Sequence, residues 1–173
     1  MPINEQQKNS LYFLAYLLLG ILILNSSYLS YKYLNFFYGG NMLASLDCAD
    51  DCDSVMMSPY SMLFGVPVPV YGLVYFIALA AFFILLTTYK HDHLLGKIAA
   101  IFINNDRYRL QQKLFELMLI TGCLVASAFL GVLYGVLHMF CKFCLLSHIS
   151  LFLFTINYFF LLKRFSFKFN ESK

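Results

Sequence analysis

Residues 117–162 read LMLITGCLVASAFLGVLYGVLHMFCKFCLLSHISLFLFTINYFFLL, two apolar runs joined through Cys141-Lys142-Phe143-Cys144. Each run approaches the roughly 20 apolar residues that a helix needs to cross a bilayer. Neither alternates polar and apolar positions as a barrel strand must, so both are read as helices. The stretch predicts a membrane helical hairpin with two thiols, three residues apart, at its turn. Working outward, two further apolar runs lie upstream, at about 11–31 and about 63–88, the latter entered through Gly65, Pro67 and Pro69. With the runs at about 117–139 and 144–162, the expectation is an all-α integral membrane protein. It is a four-transmembrane-helix bundle forming one domain over residues 1–173.

Composition agrees. The 173 residues are 61% hydrophobic and 12% charged, where a soluble domain carries about 25% charged residues. The net charge of +3 comes from basic residues scattered between apolar segments, not from a stripe, so nothing supports a nucleic-acid partner.

The basic residues predict the orientation. Lys8, Lys90, Lys97, Arg107, Arg109, Lys113, Lys163, Arg164, Lys168 and Lys173 would lie on one side, against Lys32 and Lys142 on the other. The positive-inside rule puts both termini in the cytoplasm and the CxxC turn outside, in the periplasm or its equivalent. A cleaved signal peptide is the competing reading of the first segment. No small-x-small cleavage site is obvious, and Tyr28, Tyr31, Tyr33, Phe36, Phe37 and Tyr38 suit an interfacial belt, so the segment is read as retained. Residues 94–103 are apolar but too short to span and suggest an interfacial helix. Gly122, Ala126, Ser127, Gly131 and Gly135 suggest close helix approach along the third segment.

The chemistry is placed on the outer side, where disulfides persist. At Cys141 and Cys144 the first turn of a fourth helix would expose N–H groups that stabilise a thiolate. Zinc sites use the same spacing, but an extracytoplasmic position favours redox chemistry. Cys48-Ala49-Asp50-Asp51-Cys52 forms a second pair, which can close a disulfide if its Cα atoms come within about 7 Å. Asp47, Asp50, Asp51 and Asp53 either disfavour thiolates there or simply keep the loop solvated. A soft-metal site for Cu(I) or zinc, built from these cysteines with Met56, Met57 and Met62, is the reading from a different class.

With two pairs in this order the chain resembles the vitamin K epoxide reductase family in its bacterial form. The likeness extends through Asp53-Ser54-Val55-Met56-Met57-Ser58, Tyr60-Ser61, Phe64-Gly65-Val66-Pro67-Val68, Tyr71-Gly72 and Phe140-Cys141-Lys142-Phe143-Cys144. DsbB-like proteins instead carry CxxC in the first outer loop. The resemblance implies a quinone-dependent thiol–disulfide oxidoreductase of the cell (inner) membrane, with Cys48, Cys52, Cys141 and Cys144 catalytic. A DsbA-like thioredoxin-fold partner acting in trans would reduce the Cys48–Cys52 disulfide, since only a short tail follows Leu162. Cys52 would then attack Cys141, leaving Cys144 beside a quinone, ubiquinone or menaquinone. Ser58 matches the family's hydroxyl near the quinone, though a helix cap or turn is its plainer role. His148 stands where vertebrate members that reduce vitamin K epoxide have tyrosine. It is a candidate quinone contact, or a packing residue, and the missing tyrosine argues against an epoxide as natural substrate. The gap between the loop cysteines is shorter than the family usually has. Cys123, roughly 25 Å deeper along the helix than Cys141 at 1.5 Å per residue, is read as a small hydrophobe. His138 is read as interfacial, and His91 and His93 as solvated.

Overall fold

The apolar runs become four helices, and each is long and apolar enough to cross a membrane. The computed structural model describes residues 5–38, 55, 58–88, 105–138 and 141–162. Its helices are α1 (Glu5–Tyr38), α2 (Val68–Thr88), α3 (Asn105–Gly135) and α4 (Lys142–Ile156), the last continued by a π-helical stretch, Asn157–Leu162. A short antiparallel hairpin pairs β1 (Met62–Leu63) with β2 (Val66–Pro67) before α2.

Side-chain contacts establish the up-down-up-down arrangement. Tyr16 near the start of α1 hydrogen-bonds Thr87 near the end of α2 at 2.9 Å. Ser26 further along α1 faces Gly72 at the start of α2. Tyr75 of α2 donates to Met118 O of α3 at 2.9 Å, and the Phe83 and Phe115 rings meet at 6.1 Å. Asn157, just past α4, donates to Leu11 O at 3.2 Å, whereas Asn25 reaches the start of α4. The described chain ends therefore lie at the end of the bundle opposite the CxxC motif.

Lipid tails are as apolar as leucine, so helices associate in a membrane through packing and interhelical hydrogen bonds rather than by escaping water. Both are present. Leu22, Leu79, Phe83, Phe115, Leu119 and Phe154 are fully buried. Phe83 meets Phe154 edge-on at 5.5 Å, and Phe115 meets Tyr158 at 4.8 Å, geometries that suit the ring quadrupoles. Outward faces stay apolar, as at Phe13, Leu24, Val74, Leu117 and Leu124, which fits a hydrocarbon surround and would be a liability in water.

Several boundaries differ from the sequence reading. The second helix begins at Val68, not Leu63, because the chain first reverses at Phe64 and Gly65, both with positive φ. Glycine adopts that conformation freely, and Pro69 then sits in the first turn of α2, where a missing N–H is harmless. The third helix starts earlier, at Asn105, and ends at Gly135, before His138, which is exposed with φ 51°. The small-residue series brings helices together at one glycine only. A Cβ on Gly122 would strike Tyr75, whereas Gly131 and Gly135 have nothing within 4 Å of theirs. Residues 94–103 lie outside the described residues.

Candidate redox site

Helix α4 begins on the CxxC motif, and α1 holds it there. Cys141 occupies the N-cap with extended backbone, φ −83° and ψ 108°. Its Sγ accepts from Cys144 N at 3.3 Å, taking the place of the serine or aspartate oxygen that usually caps a helix. A donated N–H at the positive end of the helix dipole stabilises negative charge on that sulfur. Of the two first-turn thiols, Cys141 receives this contact. Cys141 is also the more buried, at 4% exposure, with Val55 packed against it. Phe143, between the cysteines, is gripped at both ends. Asn25 Nδ2 donates to its carbonyl at 2.7 Å, and its ring lies 5.2 Å from that of Tyr28 and against Leu29 and Tyr33.

The segment that follows Cys52 is fastened to the same helix. Val55 O accepts from Ser58 N at 3.2 Å and from Ser58 Oγ at 2.8 Å. Ser61 Oγ donates to Ser58 O at 2.7 Å. Having given its one hydrogen there, Ser61 must accept from the buried Tyr33 hydroxyl, 2.9 Å away. Tyr71 then secures the hairpin by donating to Leu63 O at 3.0 Å. Cys48 and Cys52 themselves, with Met56 and Met57, lie outside the described residues.

These elements surround an apolar cavity of about 350 Å³ lined by all four helices. Cys141, Cys144, Ser58, Ser147 and His148 reach it among walls that include Leu29, Phe76, Phe129 and Leu151. Four of the six residues singled out from the sequence are thus brought to one space. Their hydrogen bonds define what each can offer. Ser58 directs its hydrogen to Val55 O, and although it stands at the N-cap of the turn Pro59–Ser61 it makes no side-chain cap bond. His148 Nδ1 contacts Cys144 O. A carbonyl only accepts, so Nδ1 carries the hydrogen, and neutral His148 presents Nε2 as an acceptor.

Sequence reasoning missed Asn25, Tyr33, Ser61 and Ser147. A buried amide in a membrane helix was the available signal, since such residues are functional candidates by default. Cys123 does not line the cavity. Its Sγ lies 3.3 Å from Thr155 Oγ1, joining α3 to α4. Among the described residues, no three His, Cys, Asp or Glu side chains gather as a metal site.

A membrane helix bundle that brings a thiol pair to an apolar cavity defines a membrane redox protein. The model of the vitamin K epoxide reductase family matches residues 11–158, and the chain belongs to that family. Membership makes it a multi-pass membrane redox enzyme of a family that uses quinone-type substrates. No curated protein and no solved structure matches the chain significantly.

Proposed function

We propose that this protein reoxidises a DsbA-like thioredoxin-fold partner in the periplasm and passes the electrons to ubiquinone or menaquinone. The observation that carries the reading is the single cavity that Cys141, Cys144 and His148 share. Its volume of about 350 Å³ suits a quinone head group, since small-molecule sites run from ~300 Å³ upward.

The relay balances in thiols and disulfides. A partner thiolate attacks Cys48 of the Cys48–Cys52 disulfide, releasing Cys52. Cys52 attacks Cys141 of the Cys141–Cys144 disulfide and frees Cys144. The partner's second thiol then completes its own disulfide and releases Cys48, which attacks Cys52 and releases Cys141. The quinone, when bound, accepts two electrons and two protons, and the Cys141–Cys144 disulfide is restored. The helix N–H on Cys141 Sγ favours it as the thiolate leaving the Cys52–Cys141 bond. His148 Nε2, as an acceptor, receives a thiol proton as Cys144 is oxidised. Support for Cys52 as the attacking residue comes from Val55. Three residues of chain reach at most about 11 Å, and Val55 packs on Cys141.

The charge pattern supports an inner-membrane orientation with both termini cytoplasmic and all four cysteines facing the periplasm. The test mixes purified protein, a reduced DsbA-like protein and a short-chain quinone, and follows quinone absorbance. Loss of the oxidised-quinone band, abolished by replacing Cys144, is the expected result. Absence of any reduction with a range of partners and quinones would overturn the reading.

A further inference from the structure

Serine and threonine in a helix commonly return their hydroxyl hydrogen to the carbonyl four residues back. Ser127 does so to Cys123 O at 2.8 Å, and Thr155 to Leu151 O at 2.8 Å. Ser147 does not. The carbonyl it would use, Phe143 O, accepts the backbone N–H of the helix ladder and, on its other side, Asn25 Nδ2 at 2.7 Å. A carbonyl has two lone pairs, so both are occupied. The second hydrogen of the same amide is donated to Ser147 Oγ at 2.6 Å. The amide cannot be turned the other way, because its oxygen would then face the oxygen of Phe143. Ser147 is therefore an acceptor toward Asn25, and its own hydrogen has no acceptor among the described residues.

That hydrogen belongs to a hydroxyl lining the cavity, one turn beyond Cys144. Two other polar groups there have committed hydrogens: Ser58 gives its hydrogen to Val55 O, and the Nδ1 hydrogen of His148 goes to Cys144 O. Asn25 is 8% exposed and makes both contacts from α1. Burying an amide costs free energy unless its hydrogen bonds are made, so its placement against the redox turn needs a reason.

Building on the quinone reading above, we infer that Ser147 donates the neutral hydrogen bond to an oxygen of the bound quinone. Asn25 is the positioning residue that keeps the Ser147 hydrogen off the helix backbone. Donation into Ser147 Oγ also polarises the hydroxyl, because linked hydrogen bonds strengthen one another. The ligand oxygen gains electron density on reduction, and the bond strengthens with it.

The test reads the quinone itself. Infrared difference spectra of carbonyl-labelled short-chain quinone bound to the detergent-purified protein report hydrogen bonding as a lowered C=O stretch. Ser147→Ala should move that stretch back toward the free-quinone frequency and raise the quinone KM about threefold to tenfold, the range one hydrogen bond supplies. Ser147→Thr should retain both wild-type values. Asn25→Leu should reproduce the Ser147→Ala spectrum with Ser147 intact, as the hydroxyl turns onto Phe143 O. Asn25→Ser replaces it in the test if the leucine variant does not fold. A Ser147→Ala protein that binds quinone with an unshifted spectrum overturns the assignment while leaving quinone reduction standing. A wild-type protein that neither binds nor reduces quinone overturns both.

Discussion

Gly122→Ala tests how the cavity wall between α2 and α3 is built. A Cβ at Gly122 would lie 2.1 Å from Tyr75 Oη, 2.7 Å from Cζ and 3.2 Å from Cε1. Carbon contacts are optimal at about 3.5–4.0 Å, so the phenol must retreat by more than ~1 Å or the helices must part. Either way Tyr75 loses its hydrogen bond to Met118 O. An interhelical bond of this kind in a membrane is worth about 0.6 kcal/mol, and overpacking adds about 1–3 kcal/mol. A total near 2 kcal/mol corresponds to a Tm about 4–8 °C lower for a chain of this size. Because Tyr75 lines the cavity, the displaced ring should also raise the quinone KM. The assays are thermal unfolding in detergent and steady-state quinone reduction. Gly122→Ala combined with Tyr75→Leu should recover part of the Tm lost by Gly122→Ala, since contacting residues couple. A Gly122→Ala protein with wild-type Tm and KM, or strictly additive effects in the pair, would refute the packing described.

The remaining predictions concern orientation and relay order. Reporters fused after Lys97 or Lys173 should read cytoplasmic and one near Asp50 external; a cytoplasmic Asp50 reporter would overturn the orientation. Replacing Cys52 should trap a mixed disulfide between Cys48 and the partner, seen on non-reducing gels, whereas Cys123→Ala should leave turnover within about twofold, a surface-scale effect. In Cys141→Ser, the Cys144 thiolate beside bound quinone should give a visible charge-transfer band. The same band in Cys144→Ser, with Cys141 intact, would reverse the assignment of the two cysteines. Tyr33→Phe should slow transfer from the loop pair to Cys141 in stopped-flow thiol exchange and leave the quinone KM unchanged; an unaltered exchange rate would remove Tyr33 from the relay.

What could be read from the sequence was whatever depends on local composition. Long apolar runs specify helices in lipid because nothing else satisfies the backbone there, so four helices and a CxxC at a turn were legible. Their ends were less so. Leu63 to Pro67 looked like the start of an apolar span, yet Phe64 and Gly65 reverse the chain, which hydropathy does not register. The small-residue series on α3 suggested close helix approach, and of its three glycines Gly122 alone has a neighbouring side chain within reach of an added Cβ. Asn25 only mildly interrupts its apolar run, and Ser147 carries no signal of its own. Their meaning lies in a hydrogen bond between residues 122 positions apart, and no local pattern carries that information. Ser58 and His148 could be placed by likeness to a family, but the destination of their hydrogens required coordinates.

The site is organised by one helix acting as a ruler. Asn25 holds the CxxC turn through Phe143 O and Ser147 Oγ, and Tyr33 holds the segment after Cys52 through Ser61. Eight residues on α1 separate the two attachment points, about 12 Å along the axis at 1.5 Å per residue. Leu29 between them and Tyr33 itself pack on Phe143, so both attachments share a face. The spacing between the CxxC turn and the Ser58–Ser61 turn is thus set by one helix. The proposed relay would use such a frame, because thiol exchange demands that two sulfurs meet and then separate. The turn bearing Cys141 and Cys144 stays fixed against the cavity.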